Sequence, residues 1–138
     1  MNYLLDTCVL SEFLKKQSDP RILSWVAAQE EETLYVSVLA IGEIQKGIAK
    51  LQASKRRSEL ERWLDSVVLR YGTRILPFEI ATANLWGKMK ADLEAKGRVL
   101  PVIDSLMAAT ALEHGLTIVT RNEDDFEPTG AKVLNLWQ

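Results

Sequence analysis

The chain has 138 residues, 47% of them hydrophobic and 26% charged, with a net charge of −2. That is enough chain for one domain with a substantial core, and the composition excludes disorder as a description of the whole. The slight negative balance argues against a protein that grips nucleic acid by bulk electrostatics alone. Cys8 is the only cysteine, so no internal disulfide forms. Asp6 interrupts the N-terminal apolar residues, and no apolar run is long enough to cross a bilayer, so a cytoplasmic protein without a membrane partner is expected.

Tyr3-Leu4-Leu5 is a short apolar run that reads as a fully buried strand, and such strands belong to parallel sheets. Val9, Leu10, Phe13 and Leu14 follow at helical spacing. Asp19-Pro20 opens another helix, with Ile22, Leu23, Val26 and Ala27 on its apolar face. Leu34 to Val38 alternates and is rich in β-formers, which predicts a second strand. Leu39, Ile41, Ile44 and Ile48 then mark a helix that carries Glu43.

A charged amphipathic helix is expected over about Ser54 to Arg70, with Leu60, Trp63, Leu64, Val67 and Val68. Arg74 to Phe78 reads as a brief strand at an edge, because Pro77 cannot donate to a ladder. Glu79 to Ala95 is a helix stopped near Gly97, and Pro101 to His114 a helix stopped by Gly115. Leu116 to Thr120 is the clearest buried strand, Arg121 to Asp125 a polar loop, and Val133 to Leu136 a last short strand. Strands alternating with helices along residues 1–138 predict a single α/β domain, a three-layer sandwich around a short, mainly parallel sheet.

Sites in open parallel sheets form at the carboxyl ends of strands. Asp6 ends the first strand, Asn122 and Asp125 follow the strongest one, Asp104 opens the helix feeding it, and Glu43 follows the second. These segments can gather oxygens of the kind that hard divalent cations take. Each residue also has an ordinary explanation. Asp6 can cap the next helix, Asp104 can serve the helix dipole, and Glu43, Asp124 and Asp125 can face solvent. Four such coincidences together are a strained account.

Charge is uneven as well. From Ile44 to Arg74 there are eight bases (Lys46, Lys50, Lys55, Arg56, Arg57, Arg62, Arg70, Arg74) against three acids. A solvated helical face explains most of these, and a basic wall beside an acidic pocket would suit RNA. His114, near a helix C-terminus, reads as a capping residue, and Cys8 as a small hydrophobe.

Four stretches taken in order resemble PIN-domain proteins of the VapC type, the toxin half of a bacterial toxin–antitoxin pair. They are Tyr3-Leu4-Leu5-Asp6-Thr7, then Ser37 to Ile44 with Gly47, then Asp104 to Ala111, and Thr117 to Asn122 leading to Asp125-Phe126. The resemblance spans nearly the whole chain. It implies a ribonuclease that hydrolyses RNA phosphodiesters with Mg²⁺ or Mn²⁺ held by Asp6, Glu43 and Asp104. The fourth acidic position falls on Asn122, an amide, or on Asp125 three residues later.

Thr7, Thr120, Asn122 and Ser105 are implied as supporting residues. A homodimer, inhibited by a small antitoxin of the VapB type and held with it in a larger assembly, is also implied. Trp25, Trp63, Trp86 and Trp137 are candidate antitoxin contacts, with core packing the simpler role for Trp63. Two rivals compete. A haloacid-dehalogenase-like phosphatase needs an acid where Cys8 stands. A catalytically weak PIN-like binding partner or co-repressor subunit would explain Asn122.

Overall fold

Three apolar residues, Tyr3–Leu5, form the first strand, β1, and it lies at the middle of the sheet. The computed structural model describes residues 1–138. Four further strands join it: β2 (Leu34–Ser37), β3 (Ile75–Leu76), β4 (Thr117–Val119) and β5 (Val133–Leu134). Their order is β3-β2-β1-β4-β5, and all four pairings are parallel. Parallel neighbours need crossovers, which the helices supply. These are α1 (Thr7–Glu12), α2 (Pro20–Ala28), α3 (Val38–Ala49), α4 (Lys55–Tyr71), α5 (Ile80–Ala95), α6 (Val102–His114) and α7 (Glu123–Phe126).

The order decides where the helices go. From β1 the chain steps outward to β2 and β3, then returns to lay β4 on the other side of β1. Right-handed crossovers in opposite directions place α1 to α4 on one face and α5 to α7 on the other. The sheet is therefore covered twice, and Leu4, Leu5, Val36, Ile118 and Val119 are wholly buried. Burying a side chain of this size contributes roughly 1.5–3 kcal/mol. The reversal of direction falls between β1 and β4, and the crevice beyond their carboxyl ends is where ligands bind in such sheets.

Local chemistry sets the helix starts. Ser37 ends β2 and accepts the Leu39 N–H at 3.0 Å, so α3 begins at Val38, one residue earlier than the apolar pattern suggests. Asp19 accepts the Arg21 N–H ahead of Pro20, and Ser54 accepts that of Arg57. Gly115 closes α6 at φ 64°, a left-handed conformation that glycine adopts without a Cβ penalty.

Two expectations are corrected. β3 and β5 are only two residues long, although the edge position of β3 is as expected. The polar stretch from Arg121 to Asp125 is not simply a loop, because Glu123 starts the one-turn helix α7. Glu123, Asp124 and Asp125 sit in its first turn, where the helix dipole favours negative charge.

Candidate active site

The register of the sheet builds the site. Leu5 pairs with Val119, so Asp6 and Thr120 leave neighbouring strands side by side. The Asp6 N–H still reaches the Val119 carbonyl at 3.0 Å, which extends the ladder by one bond. Asp6 is 4% exposed. Its Oδ2 accepts the Thr120 hydroxyl at 2.7 Å, and its Oδ1 accepts the Thr7 N–H at 2.8 Å. The capping role foreseen for Asp6 is real, and it uses one oxygen only. Burial pushes this carboxyl up and the charge of Glu43 adds to that, while the two hydrogen bonds oppose it.

Glu43 comes from α3, across the rim. It is half-buried, and its Oε1 accepts the Thr7 hydroxyl at 2.9 Å. Thr7 thus serves two acids at once, through its N–H and its hydroxyl. Asp104 enters from the first turn of α6 and is also half-buried. Its carboxyl is pushed up to about 6, first by burial, then by the charges of Asp6, Asp125 and Glu43 and by a hydrogen bond with Asp125. Four carboxylates from four segments therefore feel one another. Asp125, and not the exposed Asn122, is the fourth acid that faces Asp104. Asn122 contributes its backbone N–H, which donates to Thr120 Oγ1 at 3.0 Å.

The donor set is all oxygen, as hard cations require, and its mutual repulsion is the kind that a cation relieves. No three acidic, histidine or cysteine side chains close into a ready-made cage. The carboxylates face one another across an open rim. The donor types and their charge coupling fit Mg²⁺ or Mn²⁺.

Ser105 does not join them. It is fully buried, accepts the Trp86 indole N–H at 2.9 Å and donates to the Val102 carbonyl at 2.6 Å. Successive residues on a helix point about a quarter-turn or more apart, so a hydroxyl next to Asp104 faces α5 instead. Its contribution is to pin that turn of α6. Trp86 is committed to this contact, and Trp25 packs edge-on against Tyr3 with ring centroids 4.8 Å apart. Trp63 packs against the core as its pattern suggests, and its other face lines an open apolar groove of about 430 Å³ with Leu10, Phe13, Val26, Val67 and Tyr71.

Cys8 lies against the site, with Sγ 3.9 Å from Asp6 Oδ2 and 3.8 Å from Thr120 Oγ1. Burial and then the Asp6 charge push its thiol up, which keeps it protonated. It cannot replace the carboxylic acid that a phosphatase of the rival class would carry there. His114 is exposed on the last turn of α6, its Nε2 3.5 Å from Glu113 Oε1.

One residue escaped the sequence reading. Glu12 ends α1 with its side chain only 2% exposed. Its Oε1 accepts the Asp19 N–H at 2.8 Å, and its Oε2 lies 3.0 Å from Lys15 Nζ and 3.8 Å from Arg121 Nη2. The Arg121 guanidinium stacks 4.8 Å over the Trp137 ring. This network ties α1, the start of α2, the segment after β4 and the C-terminal tryptophan together. The available signal was a carboxylate three residues after the buried Val9, on the same helix face.

An open parallel α/β sheet with a carboxylate rim at its switch point defines a class of oxygen-donor metal sites suited to phosphoester chemistry. The chain belongs to the PIN-domain family, whose sequence model matches residues 3–132. It is 35% identical over 136 residues to the VapC ribonuclease Y4jK of Sinorhizobium fredii, covering 98% of this chain and 97% of that one. With the toxin FitB of Neisseria gonorrhoeae it shares 33% identity over 135 residues, 97% of each. The crystal structure of FitAcB from the same organism superposes with a TM-score of 0.93 at 31% identity, covering 99% of both chains. No helix is long and apolar enough to cross a membrane.

Proposed function

We propose that the chain is an endoribonuclease that depends on Mg²⁺ or Mn²⁺ and acts as the toxin of a toxin–antitoxin pair. The observation that carries this reading is the gathering of Asp6, Glu43, Asp104 and Asp125 from four segments at one rim, with Thr7 bridging Asp6 and Glu43 and the charges of the other three acids raising the Asp104 carboxyl. Such an arrangement is costly unless something positive sits among the acids. Its similarity to VapC ribonuclease Y4jK and FitB supports the choice of RNA and of a toxin.

In this reading Asp6, Glu43 and Asp104 hold the ion. When bound, such an ion lowers the pKa of water and offsets charge on the scissile phosphate. The chain's own residues do the rest. Thr120 and the Thr7 N–H fix Asp6, the Thr7 hydroxyl fixes Glu43, and the Ser105–Trp86 bond steadies the turn bearing Asp104. Asp125, hydrogen-bonded to Asp104, completes the acidic rim. No histidine or covalent nucleophile is needed. With Asp125 in that place, the amide at Asn122 does not leave the site a carboxylate short.

The partners follow from the same reading: an RNA substrate, a second copy as homodimer, and a small VapB-type antitoxin in a larger assembly. The similarity to the toxin FitB supports the toxin–antitoxin part of it. The groove lined by Phe13, Trp63 and Tyr71 is the proposed seat of an antitoxin segment, since Phe13 is 45% exposed there. As a ribonuclease the chain works in the cytoplasm.

The test is cleavage of a cellular RNA pool with Mg²⁺, with Mn²⁺ and with EDTA, beside an Asp104→Asn variant. Discrete fragments that need metal and vanish in the variant are expected. An intact pool under every metal, from folded protein free of antitoxin, would turn the reading towards a binding subunit.

A further inference from the structure

A groove of about 610 Å³ runs along α3 away from the carboxylates, lined by Val38, Leu39, Gly42, Glu43, Lys46, Gly47, Lys50 and Ile103. Glu43 and Ile103 mark its inner end, since Ile103 adjoins Asp104. Lys46 and Lys50 lie one turn apart on the helix, a rise of about 6 Å. That is comparable with the step between successive phosphates of an extended strand.

Neither lysine takes part in an ion pair. The other bases of this stretch are mostly spent within the chain. Arg57 pairs with Glu61 at 3.0 Å, Arg70 with Glu31 at 2.6 Å, and Arg74 donates to the Glu31 and Leu34 carbonyls. Lys55 and Arg62 are also unpaired but lie on α4 outside the groove, so Lys46 and Lys50 are the unpaired cations that line it.

Gly42 and Gly47 sharpen the point. Each glycine in a helix interior costs about 1 kcal/mol relative to alanine. Neither is required by packing within the chain, because a Cβ built on either would meet nothing within 4 Å. The bare backbone faces the groove, where it allows an external chain to approach closely. A polyanion laid along this face would neutralise the two lysines.

We infer that the α3 groove is the track of the RNA strand, with Lys46 and Lys50 each engaging a backbone phosphate next to the cleavage point and the two glycines forming its floor. This rests on the ribonuclease reading. The contacts are to the backbone and carry no base information, so they govern affinity and register while sequence preference comes from elsewhere.

The experiment compares Lys46→Ala/Lys50→Ala with Lys55→Ala/Arg62→Ala, an equal charge change at exposed positions of α4 outside the groove. Binding of a short fluorescein-labelled single-stranded RNA of mixed sequence is titrated in EDTA against KCl, and cleavage of the same RNA is followed with Mn²⁺. The groove variant is expected to flatten the log–log salt slope by about 1.4, which is two contacts at roughly 0.7 each. Its KM should rise about tenfold with kcat and the Mn²⁺ half-activation point held. The α4 variant should change far less.

Equal losses in both variants would reduce the effect to bulk charge and overturn the assignment. So would unchanged binding with an altered oligomeric state by sedimentation, which would make the groove a contact between copies. If the unsubstituted protein neither binds nor cleaves RNA, the ribonuclease reading fails first and the track falls with it. Wild-type cleavage with unaffected groove variants would sink the track alone.

Discussion

Thr120 Oγ1 stands 2.7 Å from Asp6 Oδ2, a fully buried bond between residues 114 positions apart. It exists because β1 and β4 are neighbours in register, and it keeps one oxygen of the deepest acid in a fixed direction. Thr120→Val keeps the shape and removes the donor. Divalent-ion affinity should fall by ten- to a hundredfold, as is typical when a ligand's supporting bond is lost. Thr120→Ser should restore most of it. Calorimetric Mn²⁺ titration of the three proteins checks this, and equal affinities would mean that Thr120 serves packing only.

Asp104 sets the pH behaviour of the metal-free protein. Its folded carboxyl lies near 6, above the ordinary carboxylate value, so protonation favours the folded state. The associated stability is fully present below about pH 4 and is lost as pH rises through about 6. Asp6 is shifted in the same direction. The melting midpoint without metal should therefore fall across that window, and Mg²⁺ should flatten the decline. Asp104→Asn should weaken both effects. A metal-free midpoint that climbs across the window would contradict the assignment.

Glu12 acts with the opposite sign. The Asp19 N–H, then Lys15, holds its carboxyl below the usual range. Its contribution is present above the unfolded carboxylate value and disappears on acidification through the lower folded one. Glu12→Ala leaves the Asp19 N–H without its acceptor, while the half-exposed Lys15 and Arg121 turn to water, and should cost about 1–2 kcal/mol in urea unfolding. Glu12→Gln can still accept the Asp19 N–H and should cost less. If both are neutral, the network around Arg121 and Trp137 contributes nothing to stability.

Much of this site could be read in the sequence, for a physical reason. Parallel strands buried on both faces show as unbroken apolar runs, and in parallel sheets their carboxyl ends lie on one rim. Asp6, Asp104, Glu43 and Asp125 could be gathered on that logic before any coordinates. Glu12 carries only one spacing, three residues after Val9, in a six-residue helix, and its burial depends on elements distant in sequence. The helix α7 was missed because four residues are too few to show a period. Ser105 supports Asp104 through Trp86, a partner that sequence proximity to Asp104 does not reveal. Trp63 packs on the core as its helix pattern suggests, whereas the bond of Trp86 to Ser105 depends on packing between helices that no local pattern shows.

The apolar groove makes a separate claim about the antitoxin. Trp63→Ala should weaken a VapB-type antitoxin by tenfold or more, as expected of a buried aromatic anchor. RNA cleavage by the free toxin should be unchanged, because Trp63 lines the apolar groove, which shares no residue with the carboxylate rim. Binding measured by calorimetry beside a cleavage assay separates the two. Unaltered antitoxin affinity would show that its segment sits elsewhere.

The central claim is that the rim of Asp6, Glu43, Asp104 and Asp125 is a cation site, and direct Mn²⁺ binding near pH 6 tests it most plainly. Titration calorimetry in two buffers of different ionisation enthalpy should show saturable binding with proton release, because Asp104 gives up its proton as the ion arrives. Asp104→Asn and Asp6→Asn should each lose at least tenfold in affinity while staying folded. A silent titration of the unsubstituted protein, or equal binding by both variants, would contradict the account.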